Sequence, residues 1–99
     1  MVEDKEIELQ SLQQQLQLLM LQKQQLKIQS EEIDHSLSEI EKAKGDMYRL
    51  VGPILIKSSK EEIVKDLNDR KSTIDTRLQI IEKQEERIKK QLADLRSKK

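Results

Sequence analysis

The chain has 99 residues, of which 38% are charged, 34% hydrophobic and 1% aromatic, a composition that argues against a compact globular core. The 19 basic and 19 acidic residues cancel, which disfavours binding to nucleic acid or to an anionic membrane through bulk charge. The chain has no cysteine and no apolar run long enough to span a bilayer, so we expect a soluble cytoplasmic protein without disulfides.

The first predicted element is a long helix over about residues 5–47. Steps of three and four residues place an aliphatic side chain at every d position of a heptad: Leu12, Leu19, Leu26, Ile33, Ile40 and Met47. The matching a positions are Leu9, Leu16, Lys23, Ser30, Leu37 and Lys44. A period of 3.5 residues sustained over this length favours a left-handed coiled coil over disorder.

The stretch LQLLML, residues 16–21, has more apolar side chains than one seam between two helices can cover. Leu16 and Leu19 occupy a and d, whereas Leu18, Met20 and Leu21 fall at c, e and f. We call these last three residues the off-seam patch. An exposed apolar patch is typical of a protein-binding surface, and methionine adapts to varied partners. The alternative is a third helix that packs permanently on this face.

The segment MYRLVGPILIKSS, residues 47–59, interrupts the heptads with β-branched residues around Gly52-Pro53. It predicts a β-hairpin at about residues 48–58. Its run Ile54-Leu55-Ile56 is apolar on both faces of a strand, and a coiled coil of two helices cannot cover both. We therefore interpret the hairpin as an assembly element whose open edges pair with other chains. The alternative is an apolar loop folded back on its own helix ends.

The second predicted helix covers about residues 59–97 and begins at Ser58 or Ser59, because both serines start a capping-box sequence. Its a positions are Val64, Lys71, Leu78, Glu85 and Leu92, and its d positions are Leu67, Ile74, Ile81, Ile88 and Leu95. A short connection makes the two helices antiparallel. In the resulting alignment Leu16 lies opposite Leu95, Lys23 opposite Ile88, and Glu85 opposite Leu26.

The sequence contains no pattern that favours catalysis or a cofactor. The lone histidine, His35, falls at an outward f position, so a solvated side chain is favoured over a metal ligand. Gly45 and Gly52 form no phosphate-binding loop. The basic residues near the C-terminus are interrupted by acids and have no aromatic neighbours for base stacking, so we interpret them as solvated; they are Arg87, Lys89, Lys90, Arg96, Lys98 and Lys99. We expect no enzyme activity, no metal and no cofactor.

The order of these elements resembles the β-class subunits of prefoldin, a molecular chaperone. The resemblance covers nearly the whole chain. The more specific parts are MYRLVGPILIKSSKEEI, residues 47–63, and IEKQEERIKKQLADL, residues 81–95, of which the second is more similar to archaeal subunits. It implies a mostly α-helical fold: one prefoldin-like domain over residues 1–99, with an antiparallel two-helix coiled coil and a hinge hairpin that assembles into an oligomeric β-barrel.

The resemblance also implies an ATP-independent holdase. Two α and four β subunits would form a hetero-hexamer that captures unfolded client proteins at its coiled-coil tips and passes them to a group II chaperonin. The client-binding residues would be Leu9, Leu12, Leu16, Leu18, Leu19, Met20, Leu21, Leu92 and Leu95. The subunit-assembly residues would be Tyr48, Leu50, Val51, Ile54, Leu55 and Ile56. The alternative function is a structural coiled-coil adaptor that docks one folded partner.

Overall fold

A computed structural model describes residues 2–97 of the chain, and it consists of two long helices with a short antiparallel β-hairpin between them. Helix α1 is Val2–Lys42, strand β1 is Met47–Val51, strand β2 is Ile54–Ser58 and helix α2 is Lys60–Ser97. The predicted fold class is confirmed. That residues 1–99 form a single domain stays a prediction.

The predicted end of the first helix, residue 47, is wrong by five residues, because α1 ends at Lys42 and Met47 is the first residue of β1. The backbone leaves the helix where the Ala43 amide donates to the Ile40 carbonyl at 3.2 Å, a bond to the third preceding residue, as in a 3-10 turn, instead of the fourth. Gly45 then adopts a φ of +102°, which only glycine takes without strain. Heptad spacing describes side-chain type and cannot detect this backbone turn.

Burial along both helices follows the predicted heptads. In α1 every a and d residue from Leu9 to Ile40 is buried or half-buried, and in α2 the same holds from Val64 to Leu95. Most of the residues between them are exposed. The 3.5-residue period therefore describes the buried stripe of each helix residue by residue.

The contacts divide the described chain into two compact units, of which the first combines the part of α1 up to Lys27 with the part of α2 from Thr76 onward. Its core is formed by Leu12, Ile88 and Leu92, which are 5–8% exposed. The side chains packed against this core are Leu9, Leu16, Leu19 and Leu95. An early residue of α1 thus packs against late residues of α2, as expected of an antiparallel pair. Leu16 and Leu95 both pack against this core, as the heptad alignment of the two helices predicts.

The second unit, Ile28–Asp75, contains the hairpin and the helix segments adjoining it. Lys71 forms an ion pair with Asp34, and the Lys60 ammonium donates to the Glu41 carbonyl at 3.3 Å. This second bond satisfies a carbonyl in the last turn of α1, where a cation also suits the helix dipole. The two helix segments of this unit are antiparallel as well.

Helix α2 begins with a serine cap. The Glu62 amide donates to the Ser59 hydroxyl at 3.1 Å, and the Ile63 amide donates to the Ser59 carbonyl at 3.1 Å. The Ser58 hydroxyl donates to the Glu62 carboxylate at 3.1 Å. Of the two serines that the sequence left open, Ser59 is therefore the N-cap residue, and Ser58 supports the glutamate of the first turn.

Candidate protein-binding surfaces

The off-seam patch is exposed. Leu18 is 58% exposed, Met20 54% and Leu21 59%. Their c, e and f positions point away from the a/d seam that fills the core of the first unit, so that core does not cover them. Met20 and Leu21 also line a shallow depression with Gln17 and Gln24. In the described chain, no third helix covers this patch.

The other predicted client-binding residues lie in the seam. Leu12 and Leu92 are buried, whereas Leu9, Leu16, Leu19 and Leu95 are half-buried against them. The structure therefore separates the predicted set into exposed residues that a partner can reach directly and seam residues that hold the helices together. A partner would contact Leu12 or Leu92 only after the helices separate, and helix ends are where such separation costs least.

A groove runs along the g side of the seam in the first unit. Its floor is apolar and its walls are mostly amides; the lining residues are Gln15, Leu18, Leu19, Gln84, Arg87, Ile88 and Gln91. Leu18 thus belongs both to this groove and to the off-seam patch. Arg87 is the sole charged residue in the lining. The sequence alone predicts only a solvated role for Arg87, although its c position directly precedes the buried d residue Ile88.

One polar layer interrupts the apolar seam of the first unit. The Lys23 ammonium lies 3.2 Å from Oε1 of Glu85, and the Glu85 side chain is only 8% exposed. The ammonium lies outside hydrogen-bonding geometry, and Oε1 has no hydrogen-bond partner among the described residues. The heptad alignment of the two helices predicts aliphatic neighbours for both residues and does not predict that they pair with each other. They belong to adjacent layers of the seam, and long side chains reach across one helical turn.

The hairpin carries a second exposed apolar surface. Val51 pairs with Ile54 and Leu50 with Leu55 around a turn in which Gly52 has a φ of +57°, the conformation favoured at the first central residue of a two-residue hairpin turn. All six predicted assembly residues are exposed: Tyr48, Leu50, Val51, Ile54, Leu55 and Ile56. Because neighbouring strand residues point to opposite faces, both faces of the hairpin present apolar side chains. These residues do not fold back onto the helix ends.

Two exposed ion pairs involve the hairpin, and one of them links it to the second helix. Arg49 of β1 forms an ion pair with Asp66 of α2, and the Lys57 ammonium lies 3.5 Å from the Asp46 carboxylate. These exposed pairs orient the strands more than they stabilise them, because solvent screens exposed charges. The apolar strand residues consequently stay free to contact other protein.

Within residues 2–97, no group of three or more histidine, cysteine, aspartate or glutamate side chains is arranged to hold a metal ion. His35 is exposed. Neither helix of the described chain has a stretch both long and apolar enough to cross a membrane.

Comparison with known protein families identifies one family. A family model described as "Prefoldin subunit" matches residues 3–99. The chain is 43% identical over 56 residues to a protein named prefoldin subunit beta from Saccharolobus islandicus, a match covering 57% of this chain and 44% of the relative. It is 35% identical over 52 residues to prefoldin subunit beta from Archaeoglobus fulgidus, covering 52% and 45%. The chain thus matches less than half the length of these curated relatives.

Solved structures give a more extensive match. The crystal structure of a prefoldin beta subunit from Thermococcus strain KS-1 is similar over 97% of this chain and 86% of that chain, with a TM-score of 0.91 and 33% sequence identity. The beta2 subunit of the same strain has a TM-score of 0.77 at 20% identity, covering 89% of this chain and 96% of that chain. The second match concerns the fold alone.

Proposed function

The chain belongs to the prefoldin subunit family, and from this premise we propose that it is a β-type subunit of a chaperone that binds unfolded proteins without ATP. The observation that carries the proposal is the off-seam patch, in which three large apolar side chains are each more than half exposed. Exposed apolar area on this scale serves contact with another protein. Unfolded chains expose the apolar side chains that such a patch binds.

The proposed complex is a hetero-hexamer with an α-type subunit and further β copies, acting in the cytoplasm and delivering clients to a group II chaperonin. The exposed hairpin supports assembly, because two isolated strands are marginally stable in water and gain stability by pairing their open edges with other strands. Several subunits in one complex would each contribute a weak apolar contact, and their combined avidity would hold a client. We assign no catalytic step to the chain.

The competing function is a structural adaptor with one folded partner. A groove that docks one specific helix presents a regular stripe of anchors at steps of three and four residues. The exposed residues Leu18, Met20 and Leu21 instead spread around the helix at c, e and f. That spread, together with the flexible methionine, favours varied non-native clients over a single docked helix.

The proposal is tested by diluting a chemically unfolded client into the assembled complex without nucleotide and following aggregation by light scattering. Changing Leu18, Met20 and Leu21 together to serine should retain helicity and assembly but abolish most of the suppression of aggregation, because the exposed apolar area is removed. The matched control changes Gln13, Gln14 and Gln22 to serine. It lowers helix propensity to a similar extent without removing apolar surface.

The control variant should suppress aggregation as the wild-type chain does. Full suppression by the triple patch variant would show that clients bind elsewhere. No suppression by the wild-type complex would favour the adaptor.

A further inference from the structure

The groove on the g side of the first unit has an uneven charge environment. Arg87 is exposed and forms no ion pair with any residue of the described chain. Lys83 and Lys90 lie four residues before it and three residues after it, so they share its side of α2. Arg87 therefore places a cation beside the apolar floor that Leu18, Leu19 and Ile88 provide, and the two lysines lie further out, at f positions.

The opposite wall of the groove has no carboxylate to neutralise Arg87. Helix α1 has no aspartate or glutamate between Leu9 and Ser30, and its charged residues in that stretch are Lys23 and Lys27. Most of the other side chains there are leucines and glutamines. Amides form hydrogen bonds with peptide groups of either polarity but do not counter a positive charge.

The carboxylates of α2 are placed mostly elsewhere. Glu82 and Glu86 occupy e and b positions, away from the groove, and Glu86 lies three residues after Lys83 and four before Lys90, so it adjoins the two lysines rather than Arg87. Asp94 shares the c position of Arg87 but lies about two helical turns further along. The groove consequently combines an apolar floor, neutral walls and a cationic edge, and its complement is an apolar segment with negative charge beside it.

We propose that this groove selects client segments in which carboxylates adjoin apolar side chains, and that Arg87 provides the discrimination. This inference rests on the proposed function and specifies the chemistry of the clients. The apolar side chains of the segment pack on Leu18, Leu19 and Ile88, which supplies most of the affinity. The carboxylates pair with Arg87, whose planar guanidinium accommodates both oxygens of a carboxylate. Lysine beside the same apolar core is repelled.

The test measures binding of three fluorescent peptides to the assembled complex by anisotropy. The peptides share one apolar core and differ only in their flanking residues, which are glutamate, lysine or serine. The glutamate peptide should bind about three- to five-fold more tightly than the lysine peptide, as expected for an exposed charge pair. This ratio should decrease at high salt, because screening acts on exposed charges.

Two variants assign the effect. Arg87→Gln converts the sole charged groove residue to the amide that already occupies positions 84 and 91, and it should lower the glutamate-to-lysine ratio below about two-fold. Arg77→Gln removes an exposed arginine of the same helix that does not line the groove. It should leave the ratio unchanged.

The serine peptide separates failure of this inference from failure of the proposed function. If it binds and depends on the off-seam patch, but the charged peptides bind equally or the ratio survives Arg87→Gln, the inference is wrong and the proposed function stands. If none of the peptides binds, both are wrong.

Discussion

At the scale of single residues, the Lys23–Glu85 pair is the unusual feature of the seam. Burying a carboxylate costs free energy that an ion pair recovers only with good geometry and further hydrogen bonds, and Oε1 of Glu85 has none among the described residues. The pair therefore contributes little net stability. It does disfavour slipped alignments, because a shift of one helix would move the buried Glu85 carboxylate away from the Lys23 ammonium.

We predict that Lys23→Leu alone lowers the free energy of unfolding by about 3 kcal/mol, because it leaves Glu85 buried without a counter-charge. Combining it with Glu85→Leu should restore or exceed the wild-type stability. Urea unfolding followed by circular dichroism measures both variants. If the double variant proves no more stable than the single one, the pair contributes more to stability than its geometry suggests.

At the scale of the elements, α2 has a defined start. The Ser59 hydroxyl accepts from the backbone amide of Glu62, whereas the Ser58 hydroxyl binds only the Glu62 side chain at an exposed site. Helices lose stability when a first-turn amide is left without an acceptor. The two adjacent serines consequently differ in role, although the sequence makes either a suitable cap.

Ser59→Ala should lower the free energy of unfolding by about 1 kcal/mol, the usual contribution of an N-cap. Ser58→Ala is the matched control and should cost less than half as much, since its lost bond is between exposed side chains. Thermal unfolding of the two variants under identical conditions gives the comparison. Equal losses would mean that the cap is shared between the serines.

The elements also show how far the sequence predicts this structure. The seam follows from sequence alone, because apolar periodicity records which side of each helix is buried. The end of α1 does not, since heptads continue in the sequence through Lys44 and Met47 while the backbone turns at Gly45. The Lys23–Glu85 pair and the position of Arg87 in the groove depend on how two distant helix segments align, which spacing within one helix cannot specify.

At the scale of the whole molecule, the exposed hairpin accounts for assembly in the proposed complex. Leu50 and Leu55 pair across the strands and are both 67% exposed. In an isolated chain this apolar surface would be in contact with water. Subunit association would bury it and would also satisfy the open strand edges, so assembly and the fold of the hairpin should be coupled.

Changing Leu50 and Leu55 together to serine should reduce association of the subunits by at least about ten-fold, because two large apolar side chains leave the interface. Sedimentation at several concentrations measures the association. Lys57→Ser is the control, since it alters an exposed residue of β2, the strand of Leu55, without removing apolar surface. Intact assembly of the double variant would show that these two residues are not in the interface.

The most direct measurement is photo-crosslinking of a client from the off-seam patch. A photoreactive amino acid is placed at Met20, or at the exposed Glu39 of the second unit as a control, and the assembled complex is illuminated with an unfolded or a native client. We predict crosslinks from position 20 to the unfolded client alone, and few from position 39. Equal crosslinking from both positions, or crosslinking of the native client from position 20, would contradict capture of unfolded protein at this patch.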